Sequence, residues 1–283
     1  MTVADLNPWE QWLAAQDPEL RALSEGPPPA DDMSVGDRAV PRRAFLDVLA
    51  EQVASAREDE SAPLQTDRIG AGMVAAAWRQ IVFGQARAVV RLLDLGFEVE
   101  AQVNARACFE HAIALQGLAV AAEAGTLDAA LTQLAGDAGR YSARQLDELD
   151  RIDAATGDTY RSLLDAARKD HESQLRPPGY KGRQIKDMFA IVSPDGALYS
   201  AYSRMSEASH AGLGSATPFL ITALRSGSST PGAVAQVAWA ETAALLCWSC
   251  CAAEVAMLQF STDGATRASR QIELLERVGL VPG

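Results

Sequence analysis

The chain of 283 residues holds only three histidines and four cysteines, and its aromatic content is 6%. Four cysteines, three of them between Cys247 and Cys251, are too few and too crowded for a disulfide scaffold and fit a reducing compartment. Basic charge is in deficit. Lys and Arg number 25 against 37 Asp and Glu, a formal charge of −12. Such a chain is poorly suited to coating DNA, where affinity comes largely from cations on phosphate, or to docking on an anionic bilayer. The start, MTVADLNPWEQW, has neither the basic stretch nor the apolar run of a secretory leader, so a cytoplasmic location is expected. Phosphate-cradling glycine loops, nucleophile elbows and HExxH pairs are all missing.

Long apolar runs are also scarce. The most apolar stretch, residues 232–260, is interrupted by Gln236, Glu241, Glu254 and Gln259. A membrane-spanning helix needs roughly 20 consecutive apolar residues. The uninterrupted piece from Thr242 to Ala253 is too short, and the segment reads as a central apolar helix of a water-facing bundle.

What is present is helix-forming sequence nearly throughout. Ala, Leu, Glu, Gln and Arg dominate, and the alternating Val, Ile, Thr and Tyr runs of strands are lacking. The pattern predicts an all-α, multi-helix bundle of about 8–10 helices with its apolar helix near the C-terminus. Residues 1–25 read as an N-terminal helical segment carrying Trp9 and Trp12. Residues 26–41 are rich in Pro, Gly and Asp and read as a linker. Residues 42–283 read as a single all-helical domain. Within it, helices are expected at about 42–58, 67–94, 97–124, 126–137, 139–155, 158–174, 183–192, 197–210, 232–261 and 266–280.

Few side chains invite chemistry. Cys247-Trp248-Ser249-Cys250 has the spacing of a thioredoxin-type redox pair, but it lies mid-helix with no strand before it, so buried packing is expected. Asp147, Asp150 and Asp153 recur every third residue and read as a solvated acidic face. Arg106 and Glu110, four apart, sit inside an otherwise apolar helix; charges there are tolerated only when paired, so they face a partner helix or a site. Tyr202, Ser206 and His210 form a second stripe at four-residue steps. Glu207 and His210 make one Glu-x-x-His, half of the set that a di-metal bundle requires. With no second copy, neither a metal nor a cofactor is expected.

Arg106 and His111, separated by four residues, match the Arg-x(4–6)-His spacing of the helical HEPN ribonucleases, in which the His and Arg of two subunits cleave RNA without metal. Two longer stretches carry a more extensive likeness. RAVVRLLDLGFEVEAQVNARACFEHAIALQGLA and IKDMFAIVSPDGALYSAYSRMSEASHAGL together resemble the all-helical bacterial domain-of-unknown-function family 5677. The resemblance spans about 85–215. It implies that Arg106, Glu110, Tyr202, Ser206 and His210 belong to one pattern, which does not include His111, and it supplies no activity.

Three functions stay open on the sequence. The polar residues form a structural or partner-binding network in a non-catalytic bundle. Alternatively, the chain is an HEPN-like ribonuclease of a defence or toxin–antitoxin system, acting as a homodimer on RNA. The third is a small-molecule enzyme in which His210 is acid or base, Arg106, Glu110 and Tyr202 complete the catalytic set, and Ser206, Glu207 and His111 bind a small polar ligand.

Overall fold

The computed structural model describes residues 32–35, 38–58, 63–95, 97–156, 164–165, 167–169, 185–209 and 233–280. The segment expected to be helical at 1–25 lies outside them, as does most of 158–174. Inside the stretch read as linker, Asp32–Val35 (β1) pairs antiparallel with Arg38–Pro41 (β2). In sequence the strands are separated by Gly36-Asp37, a two-residue hairpin signal that the neighbouring prolines had outweighed. Val40 is buried in the main core, so the stretch is anchored at its end.

The other long elements among the described residues are helices: α1 (Arg42–Glu58), α2 (Ile69–Asp94), α3 (Glu98–Glu123), α4 (Leu127–Thr156), α5 (Ile185–Val192), α6 (Ala197–Ser209), α7 (Ala233–Met257) and α8 (Gly264–Arg277). The all-helical bundle expected from composition is the observed architecture. One boundary differs. The two helices expected at 126–137 and 139–155 are a single one, α4, running through Gly136 and Gly139. A glycine inside a helix costs about 1 kcal/mol relative to alanine, which a 30-residue helix tolerates without breaking.

Two helices organise the core. α3 packs on α2, α4, α5, α6 and α7, and α7 packs on α1, α2, α3 and α8. Helices with neighbours on several sides must be apolar on several sides. On α3 the buried set includes Ala101, Ala105, Cys108, Phe109, Ala112, Ile113 and Leu115; on α7 it includes Leu246, Cys247, Cys250, Ala253 and Met257. Small Ala and Cys residues let these axes approach closely. α3 ends in a 6→1 bond from the Thr126 amide to the Ala121 carbonyl, 2.8 Å, closed by Gly125 at φ +70°, a conformation only glycine adopts freely. No helix among the described residues is long and apolar enough to cross a membrane.

One buried ionic knot ties the last helices to α2. Glu254, 1% exposed on α7, accepts from Arg79 Nε of α2 at 2.8 Å and from Arg267 Nε of α8 at 3.1 Å. Arg267 also donates to Ser261 Oγ at 3.0 Å and pairs with Asp263. The buried acid inside the most apolar segment is thus neutralised from two sides, as a buried charge requires.

Candidate functional site

Arg106 and Glu110 lie one turn apart on α3, on the flank covered by α6. Tyr202 of α6 reaches across between them. Its hydroxyl accepts a hydrogen bond from Arg106 Nη2 at 3.0 Å and donates one to Glu110 Oε1 at 2.7 Å. Arg106 and Glu110 also approach each other directly, at 3.5 Å, and the guanidinium lies over the Tyr202 ring, 5.3 Å from its centroid. Tyr202 is 7% exposed, while the two charged side chains keep about a quarter of their surface in water. Burial, reinforced by the Glu110 carboxylate, raises the Tyr202 hydroxyl above the ordinary tyrosine range. The phenol is therefore held neutral, with its donor and its acceptor both engaged.

An aromatic cluster backs this joint. Phe189 of α5 stands 5.0 Å from Tyr202, 5.6 Å from Tyr199 and 5.6 Å from Phe109, centroid to centroid. Phe109 in turn meets Trp248 of α7 edge-on at 5.8 Å. The network is consequently fixed in three dimensions by rings that contribute packing beyond their buried area.

Of the remaining candidates, Ser206 sits one turn after Tyr202 on α6 and is half-buried. The side chain of Glu207 and the whole of His210 lie outside the described residues. His111 is half-buried, and among the described residues its ring bonds only the Ala107 carbonyl of its own helix, Nδ1 to O at 2.7 Å. A carbonyl only accepts, so Nδ1 carries the proton. His111 thus stands apart from the Arg106–Tyr202–Glu110 joint. No group of three or more His, Cys, Asp or Glu suited to a metal ion occurs among the described residues.

The cysteine pair behaves as packing. Cys108, Cys247, Cys250 and Cys251 are all buried free thiols. Burial pushes Cys247 well up, contact with Cys108 together with burial does the same for Cys250, and Cys251 rises to about 12. Those three are not poised as thiolates near neutral pH. On the acidic face, Asp147 is exposed and Asp150 pairs with Arg168 at 2.6 Å.

A cavity of about 600 Å³, which the sequence did not reveal, opens beside the joint. It lies between Gln116 of α3, the Val192–Leu198 corner joining α5 to α6, and Trp248, Cys251, Ala252 and Val255 of α7. Leu198 on its wall is one turn before Tyr202, so the joint fixes the helix that forms this wall. The corner is tightly built. Asp195 accepts from the Ala197 amide at 3.1 Å and from the Ser193 hydroxyl, and Gly196 turns the chain at φ +77°. These bonds, that from Ser193 foremost, hold the Asp195 carboxyl below its usual range. The wall therefore carries a permanent carboxylate and an indole and, among the described residues, no Lys, Arg or His. Gln116 spends its amide on the Ala252 carbonyl at 2.5 Å, a bond between two residues of the wall.

The sequence pattern of a family of unknown function (DUF5677) matches residues 73–226, more than half the chain. The chain belongs to that family. The DUF5677 match runs from within α2 through α6 and so contains Arg106, Glu110, Tyr202 and the Ser193–Gly196 corner, while Trp248 comes from outside it. No curated protein and no solved structure matches the chain.

Proposed function

We propose that this DUF5677 protein is a non-catalytic binding protein, in which the Arg106–Tyr202–Glu110 joint sets the walls of the α3–α6–α7 cavity and the cavity takes a small ligand rich in hydrogen-bond donors. The observation that carries this reading is the saturation of the Tyr202 hydroxyl, which accepts from Arg106 while donating to Glu110. A phenol engaged in both directions and held neutral is a brace, not a proton shuttle. The cavity volume falls within the range of small-molecule sites. A carboxylate beside an indole, with no basic residue among the described residues of the wall, favours an amine or a polyhydroxylated molecule over an anion.

A thermal-shift titration with putrescine, agmatine and tyramine as probes, run beside a 5′-labelled single-stranded RNA, tests the reading. The expected result is a melting temperature raised by at least one amine and an intact RNA. Asp195→Asn, which keeps the cap acceptor of α6 but removes the charge, abolishes the shift. RNA cleavage by the wild type that His111→Ala removes would establish the ribonuclease reading instead.

A further inference from the structure

The most informative charges outside the joint are two arginines on α2. Arg87, Val90, Arg91 and Asp94 stand at i, i+3, i+4 and i+7, one stripe of that helix, and Ala50, Val53 and Ala54 form the facing stripe of α1. Between the stripes lies a groove of about 510 Å³. It exists because alanines stand at two of the three α1 positions and do not fill the space between the helices.

Among the described residues the two arginines of this groove form no ion pair. Several arginines elsewhere are matched: Arg43 pairs with Asp47, Arg277 with Glu51, Arg79 and Arg267 with Glu254. Among the described residues neither Arg87 nor Arg91 has such a side-chain partner, and the Nε of Arg87 is buried with no acceptor. A buried N–H without an acceptor costs about 1–3 kcal/mol. In a chain with 12 more acids than bases, a pair of guanidiniums without carboxylates among the described residues favours an acceptor supplied from outside. Asp94, at the far end of the stripe, reduces the groove's formal charge to +1, which suits a singly charged head better than a doubly charged one. Val53, Val90, Ala50 and Ala54 supply apolar walls beside that charge.

We infer that the α1–α2 groove binds a small amphiphile, an aliphatic carboxylate, with its head on the Arg87 and Arg91 guanidiniums and its chain along Val53, Val90 and the two alanines. Guanidinium and carboxylate match as a planar fork, and the apolar chain gains about 25 cal/mol per Å² buried. The site is separate from the α3–α6–α7 cavity and shares no lining residue with it.

Isothermal titration of the full chain with sodium octanoate tests this, with 1-octanol and inorganic phosphate as comparison probes. Octanoate is expected to bind at one site per chain, with octanol and phosphate each at least tenfold weaker. Arg87→Gln should weaken octanoate at least tenfold, as should Arg91→Gln, whose exposed position makes it safe for folding. Ala54→Leu, which fills the groove without touching charge, should abolish binding while leaving the melting temperature within a few degrees. Asp195→Asn should leave the octanoate titration unchanged, which keeps this site's fate independent of the other cavity's. The inference is overturned if octanoate fails to bind, if octanol binds equally well, or if Ala54→Leu binds octanoate like the wild type.

Discussion

The Tyr202 hydroxyl donates to Glu110 across 2.7 Å while accepting from Arg106, which makes one phenol the hinge pin between α3 and α6. Tyr202→Phe keeps the ring against Phe189 but removes the oxygen, leaving Arg106 and Glu110 to each other at 3.5 Å. A loss of about 1–2 kcal/mol in chemical denaturation is expected, since a hydrogen bond to a charged group contributes about 1.5–3 kcal/mol and the remaining pair recovers part. The pH dependence has a definite sign. The folded-state Tyr202 titrates higher than the unfolded one, so folded protein holds the proton longer, and its stabilising effect is complete below pH about 10. It is lost as pH climbs from there through the folded-state value. Denaturation midpoints measured between pH 8 and 11 should fall more steeply for wild type than for Tyr202→Phe; parallel curves would refute the assignment.

Glu254 is the anion on which Arg79 and Arg267 both depend. Replacing it with Gln leaves two guanidiniums, 4% and 5% exposed, without their shared charge. The expected cost is about 3–5 kcal/mol, the range for breaking one partner out of a buried ion pair. Equilibrium unfolding in urea gives the number. A change under about 1 kcal/mol would mean that water reaches the knot.

The four thiols should be silent toward Ellman's reagent in the folded protein at pH 8 and should all react in denaturant, because all four are buried from the reagent and the raised titration points of Cys247, Cys250 and Cys251 leave those three almost no thiolate. Rapid reaction of even one native thiol would return the Cys247–Cys250 spacing to consideration as redox chemistry.

His111→Ala removes a half-buried ring whose bond is to its own helix. About 1 kcal/mol or less of stability is at stake, and alanine's better helix propensity offsets part of it. Thermal melts of the variant should stay within a few degrees of wild type, with the far-ultraviolet circular dichroism unchanged. A much larger drop would mean that His111 has a partner in the assembled protein.

Local chemistry was legible and distant chemistry was not. Arg106 and Glu110 announce themselves because a charged pair in an apolar helix must answer to something, and the hydroxyl that answers is one of the stripe at Tyr202 and Ser206. Helix periodicity located α1, α2, α3 and α5 to within about two residues. It misplaced a break in α4, because glycine's propensity cost is small beside the packing of a long helix. Glu254 stood out only as a break in an apolar run; its partner Arg79 lies 175 residues earlier in the chain, and only the folded chain makes that match. The cavity is harder still. Gln116, Asp195 and Trp248 come from three separate segments, none unusual by itself.

The central place of α7 has a consequence for how the chain comes into being. α3 is complete by residue 123, yet α7, which covers part of its apolar surface, ends at residue 257. At about 5–20 residues per second, the ribosome takes roughly 7–27 s to deliver what separates them. For that interval the α2–α3 pair exists as a nascent hairpin with uncovered alanine, phenylalanine and cysteine, a natural client for holding chaperones. The bundle closes only once α7 has been delivered, so a ribosome stalled before α7 releases a sticky fragment instead of a smaller version of the protein.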